Sequence, residues 1–192
     1  ITHVILGEEH IEDTYRQIAI YRALGGEPPA YVHLPAIVNH QGKLYSKRDG
    51  AATLGEFFDK GYLPDALFNF LALLGWAPAD ERELLTREEL IQLFDIRQVK
   101  PAPARMVMAK FEWMNGEYLR IAPREEFAAG CKVALQRSGL WNESVSDEYL
   151  ARVAVLMQDR IKTYAEVPYF AGFFFTEEFR YDEMAVANRI KK

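Results

Sequence analysis

The chain opens with a β-branched run, Ile1-Thr2-His3-Val4-Ile5, then a helix-spaced segment, then a second extended segment. This order constrains the fold more than any other feature. Ile11, Tyr15, Ile18, Tyr21 and Leu24 recur at helical spacing, and Gly25-Gly26 supplies a stop. Pro28-Pro29 forms a rigid connector, and Tyr31 to Val38 is short, partly β-branched and interrupted by Pro35, which predicts an edge strand or extended segment. Strand, helix, strand reads as the tail of a parallel α/β unit, whose ligands bind beyond the carboxyl ends of the strands. A strand at residue 1 needs partners that precede it. The other end, Glu183 to Lys192, stops in helical sequence without a Gly, Asn or Pro terminator. Both ends therefore predict a piece of a longer protein.

From about residue 51 the pattern turns helical. Pro64 stands in a first turn, Leu67, Phe70, Leu71 and Leu74 form an apolar stripe, and Gly75 ends it. Thr86-Arg87-Glu88-Glu89 predicts a capping box for a helix through Phe94. Lys100-Pro101-Ala102-Pro103 breaks the chain. Pro123 opens a helix to Ser138, Ser146 caps another through about Arg160, and Thr163 and Thr176 are candidate caps for two shorter ones. Aromatic residues here fall at helical spacing, which assigns most of them to the core.

The segment Gln41-Gly42-Lys43-Leu44-Tyr45-Ser46-Lys47-Arg48-Asp49-Gly50-Ala51 follows the second extended segment. It sets a hydroxyl and two cations side by side between glycines. Arg offers a planar fork of donors and Lys a compact point charge, a combination able to follow phosphate oxygens as a bond breaks. An isolated Ser-Lys-Arg is more often a solvated basic turn, so its surroundings must decide.

Composition bounds the rest. Hydrophobic residues at 49% and charged residues at 27% are ordinary globular values, which argues against disorder. A formal charge of −5 leaves any RNA-binding surface to be local. Segment 152–192 carries seven basic residues against six acids, close to neutral in an otherwise acidic chain. Cys131 is the sole cysteine and sits in a helical pattern, predicting a buried, inert thiol in a reducing compartment. No apolar run reaches membrane-spanning length and no signal-peptide pattern is present, so the expected location is cytoplasmic. His10 adjoins two carboxylates, but neither it nor His3, His33 and His40 has metal-site spacing, so no protein-bound metal is expected.

Five motifs in order resemble bacterial glutamyl-tRNA synthetase, a class I aminoacyl-tRNA synthetase. They are Ile1 to His10 (I-T-H-V-I-L-G-E-E-H), His33-Leu34-Pro35, Ser46-Lys47-Arg48-Asp49-Gly50, Gly61 to Leu67 with Asn69 to Trp76, and Trp113-Met114-Asn115-Gly116-Glu117-Tyr118. The resemblance covers essentially the whole chain and is clearest over 1–120. It implies the C-terminal part of a Rossmann-type catalytic domain at 1–50, a helical stem-contact region at 51–120 and the first helical anticodon-binding subdomain at 121–192. The expected fold is thus an α/β remnant followed by helices, predominantly helical overall.

The implied activity is condensation of glutamate with ATP and transfer of the glutamyl group to tRNA(Glu). Mg²⁺ is expected only as the companion of ATP, and the protein is expected to be a monomer. The resemblance implies that Lys47 contacts the departing pyrophosphate, assisted by Ser46 and Arg48. It places Glu9 and His10 along the amino-acid and ATP pocket, and Arg160 against an anticodon base, a task an Arg fork suits.

The chain departs from the family where the chemistry lies. Leu6 stands where the family usually has an Arg that binds a substrate carboxylate. Leu44 begins the phosphate loop where the family normally has Lys, with Lys43 one position early. The H-I-G-H motif of the first half of the fold and the second anticodon subdomain are absent from the sequence, so the chain alone is expected to be inactive. The helical 121–192 segment argues against two relatives, the paralogue that glutamylates a modified tRNA base and glutaminyl-tRNA synthetase with its β-barrels. A non-catalytic or altered-specificity tRNA-binding homologue is the alternative.

Overall fold

A computed structural model of the chain describes residues 1–46, 53–177 and 186. In chain order the elements are β1 (His3–Gly7), α1 (Ile11–Ala23), β2 (Ala30–Leu34), β3 (Ile37–Val38), α2 (Leu54–Asp59), α3 (Pro64–Ala72) and α4 (Arg87–Leu93). Then follow β4 (Ala104–Arg105), α5 (Met108–Ile121), α6 (Arg124–Arg137), α7 (Asp147–Val155) and α8 (Val167–Ala171). The helix-rich α/β class expected from the sequence is the class observed. The chain forms two compact units: residues 1–53 with 64–114, and residues 54–63 with 115–192. The division falls inside α5.

In the first unit β1 pairs with β2 in parallel, Leu6 standing opposite His33 and Gly7 opposite Leu34. Pro35 splits the second extended segment into two strands. Beyond it β3 leaves this sheet and pairs in parallel with β4, Ile37 opposite Ala104. The β4 strand escaped sequence reading because two residues after a Pro-rich break carry no periodicity. The helix α1 ends as a Schellman motif, with Gly26 N–H donating to Tyr21 O (2.8 Å) and Gly25 N–H to Arg22 O (3.1 Å). Its apolar spacing does not make a buried face. Ile11, Tyr15 and Leu24 are 40%, 69% and 82% exposed, and the buried residue of α1 is Thr14.

The helices of this unit pack through Leu67, Phe70 and Phe111, with the Phe70 and Phe111 rings stacked at 4.9 Å. Trp76, Leu85 and Leu90 form a second apolar cluster. Leu71, expected in the α3 stripe, is exposed, while Asn69 is fully buried. The side-chain carbonyl of Asn69 accepts from Leu85 N–H at 3.0 Å, satisfying a backbone donor inside the core. Thr86 and Glu89 form the expected capping box of α4.

The core of the second unit joins Leu119, Phe127, Leu135, Leu150, Met157 and Ile161. Pro123 and Ser146 precede α6 and α7 as expected. The helix expected to reach Arg160 ends instead at Val155. Leu156 and Met157 N–H turn to i−3 carbonyls, which tightens the chain into turns and brings Met157 and Ile161 into the core. Gln158 Nε2 then donates to the carbonyls of Leu119 (3.0 Å) and Ala122 (2.9 Å), capping the end of α5. Thr163 precedes a 3₁₀ turn, Tyr164–Glu166, rather than an α-helix directly. The helix expected after Thr176 lies outside the described residues.

Asn115 is fully buried and ties three segments of this unit together. Its Oδ1 accepts from Leu63 N–H at 2.8 Å and its Nδ2 donates to Lys162 O at 2.5 Å. Cys131 is buried as expected, and burial pushes its thiol up to about 12. Among the described residues no helix is long and apolar enough to cross a membrane.

Candidate active site and tRNA-contact residues

Two strands of the first unit, each paired in parallel with a different neighbour, deliver the candidate chemistry from their carboxyl ends. At the end of β1 the chain enters a 3₁₀ turn, Glu8–His10, that leads directly into α1. Glu8 accepts from Ala36 N–H at 3.2 Å and so ties the end of β1 to the start of β3. Glu9 is exposed, and its carboxylate folds back over Gly7: a Cβ added there would lie 2.2 Å from Glu9 Oε2. Gly7 thus leaves room for the carboxylate at the strand end.

His10 is half exposed. Its Nδ1 lies 3.4 Å from Asp13 Oδ2 and its Nε2 3.9 Å from Glu9 Oε1. Its carbonyl accepts from the buried Thr14 hydroxyl at 3.1 Å. That hydroxyl also lies 2.8 Å from His33 Nε2. A hydroxyl has one proton, so having donated to His10 it accepts from His33, which places the imidazole proton on Nε2. Thr14 therefore links α1 to β2 beneath the turn. Leu6 is half-buried on β1 and offers no charge to a substrate carboxylate.

The second group of residues follows β3. The buried Asn39 accepts through Oδ1 from Gln41 N–H (3.0 Å) and Lys43 N–H (3.1 Å). Its own N–H donates to Lys43 O at 2.8 Å, and Gly42 N–H returns to Asn39 O at 3.0 Å. Gly42 has φ +77°, a left-handed conformation that glycine adopts without strain. An antiparallel bridge from Val38 to Leu44 and a bond from Tyr45 N–H to Ile37 O (2.8 Å) close a hairpin. Ser46 emerges exposed from this pinned base. Lys47 and Arg48 lie outside the described residues.

The remaining candidate belongs to the second unit. Arg160 is exposed in the turn after α7, where its backbone N–H donates to Met157 O at 2.7 Å. Glu8, Thr14, Asn39 and Gln158 are positioning residues that sequence reasoning passed over. Only Asn39 carried a signal, because Asn followed at short range by Gly is turn chemistry. Among the described residues no group of three His, Cys, Asp or Glu side chains is arranged to hold a metal ion.

Comparison with known proteins identifies the lineage. The family model described as tRNA synthetases class I (E and Q), catalytic domain, matches residues 1–113. The anticodon binding domain family matches residues 120–192. A glutamate–tRNA ligase of Paracidovorax citrulli (strain AAC00-1) is 39% identical over 177 residues, covering 92% of this chain and 37% of that relative. One from Synechococcus sp. (strain JA-3-3Ab) is 42% identical over 182 residues, 94% of this chain and 38% of that relative. The chain thus spans well under half the length of the curated relatives it matches. The crystal structure of glutamate-tRNA synthetase from Elizabethkingia anophelis superposes with a TM-score of 0.83 at 32% identity, covering 97% of this chain and 41% of that one. A family match over more than half of its residues, together with the strand–helix–strand frame and the hairpin, means that the chain belongs to the class I tRNA synthetases (E and Q).

Proposed function

We propose that this chain belongs to an ATP-dependent glutamate–tRNA ligase and carries the pyrophosphate-binding loop, the stem-contact region and the first anticodon-binding subdomain. One observation carries the reading. A catalytic-domain match over residues 1–113 is followed in the same chain by an anticodon-binding match over 120–192.

In this reading the α-carboxylate of glutamate attacks the α-phosphate of ATP and pyrophosphate leaves. The protein aligns the reactants and stabilises charge rather than forming covalent bonds. Lys47 neutralises charge gathering on the departing pyrophosphate, with Ser46 and Arg48 as further donors. The hairpin pinned by Asn39 supports the reading, since it fixes the base from which Ser46 departs. Glu9 and His10 line the amino-acid and ATP pocket at the end of β1. Leu6 cannot pair with a carboxylate, so the substrate side chain takes its cation from elsewhere. Residues 51–120 contact the tRNA stem, and within 121–192 the exposed Arg160 reads an anticodon base through its fork of donors. The substrates are glutamate, tRNA(Glu) and ATP with its Mg²⁺. We place the working protein in the cytoplasm as a monomer.

The test is glutamate-dependent ATP–pyrophosphate exchange. The 192-residue chain alone gives none. Joined to the N-terminal segment of the Synechococcus relative it gains exchange, and Lys47→Ala then lowers the rate by roughly 10²- to 10³-fold, as for other preorganised donors. A folded joined protein without exchange overturns the reading. If Leu6→Arg rescues it, the altered-specificity homologue takes its place.

A further inference from the structure

The second unit contains a cleft of about 390 Å³ that the proposed chemistry does not use. Its size falls within the range of small-molecule sites. Phe58, Val133, Ala134 and Pro168 give it apolar walls, and the Tyr164 ring stands beside them. Arg137 and Asp59 are the charged residues of its lining.

Their pairing is loose. Arg137 Nη1 lies 3.6 Å from Asp59 Oδ1 and 3.4 Å from Asp59 O, and the two side chains are 56% and 75% exposed. An exposed pair at that separation contributes little. It leaves the planar fork of Arg137 open to a better acceptor, since a phosphate or carboxylate can take two parallel N–H bonds at once. The apolar and aromatic walls meanwhile favour a flat ring over a hydrated ion.

We infer that this cleft binds a small aromatic anion, its ring against Phe58, Tyr164 and Pro168 and its phosphate or carboxylate on Arg137. The ligand displaces Asp59 from the guanidinium, so Asp59 acts against binding.

Amide and side-chain NMR titration of the ¹⁵N-labelled 192-residue chain tests this, with phenyl phosphate, 5′-AMP and benzoate as probes and inorganic phosphate as the ringless control. The aromatic probes shift Gly61, Gly130 and the Arg137 side chain, and inorganic phosphate binds at least tenfold more weakly. The order among the three aromatic probes distinguishes a nucleotide site from an aryl carboxylate site. Arg137→Gln weakens binding by about tenfold or more, the scale of a lost charged hydrogen bond. Asp59→Asn tightens it, and Val133→Trp, at a half-exposed wall position, blocks it. All three changes lie at solvent-exposed positions, and retention of the dispersed spectrum verifies their folds. Absence of shifts with every aromatic probe overturns the inference. So does binding that survives Arg137→Gln, or equal binding of inorganic phosphate.

Discussion

Gly130 offers a substitution whose sign separates helix propensity from close approach. It lies in the middle of α6, where replacing Gly by Ala ordinarily stabilises by about 1 kcal/mol. Here a Cβ would stand 2.1 Å from Cζ and 2.5 Å from Oη of Tyr164. Carbon atoms rest at roughly 3.5 Å or more, so the ring must retreat by more than about 1 Å. Its backbone cannot follow easily. Tyr164 N–H donates to Gly61 O at 3.2 Å, and the Tyr164 ring packs against Phe127 with centroids 5.7 Å apart. Overpacking of this kind costs about 1–3 kcal/mol, which exceeds the propensity gain. Gly130→Ala is therefore expected to destabilise by up to about 2 kcal/mol. In a Tyr164→Ala background the obstruction is gone, and the same change is expected to stabilise by about 1 kcal/mol. The assay is urea unfolding of the four proteins of this cycle, read by circular dichroism with slopes compared. A stabilised Gly130→Ala in the presence of Tyr164 would refute the reasoning, because the ring would then have yielded at no cost.

Two further outcomes follow from buried polar groups of the same unit. Asn115→Ala leaves Leu63 N–H and Lys162 O without their side-chain partner and is expected to cost about 2–4 kcal/mol, measured by urea unfolding. Stability is expected to fall as pH rises above 9. The Cys131 thiol ionises near 9.0 in the unfolded chain and at about 12 when buried, so in that window the unfolded chain has lost a proton the folded chain keeps. The Tyr164 phenol, also raised chiefly by burial, adds to the fall above 10. Unfolding free energies measured through this range in the parent and in Cys131→Ala check it, the variant giving the shallower decline.

The sequence made the frame of both units legible wherever local chemistry alone decides. The Gly25-Gly26 stop, the Thr86–Glu89 capping box, and the Pro123 and Ser146 helix starts needed no tertiary partner, and each is found in place. Expectation failed where a distant segment sets the outcome. Two-residue β4 exists because β3 is there to pair with it. The α7 helix stops short of Arg160 because Met157 and Ile161 turn into the core. Apolar residues of α1 made a helix without a buried face, while the buried position went to Thr14, which the spacing would have left out. The candidate residues Leu6, Glu9, His10, Ser46, Lys47, Arg48 and Arg160 came from motif order, and periodicity contributed nothing to them.

The buried amides explain why motif order reached further than hydrophobic pattern. Asn39, Asn69 and Asn115 are 6%, 0% and 0% exposed, and each accepts a backbone N–H from chain that has no strand or helix partner there. Asn39 does so over the hairpin that leads to Ser46, Asn69 for the segment entering α4, and Asn115 for the segment leading to α3. An unpaired buried N–H costs about 1–3 kcal/mol, so each amide selects one loop path among many. Such a residue disrupts an apolar stripe and is discarded by periodicity, yet it fixes where a loop begins. Asn69 and Asn115 fall inside the segments that carry the family resemblance, and Asn39 falls between two of them. The motif segments of this chain therefore carry the geometry of loop departure as well as the candidate reactive side chains.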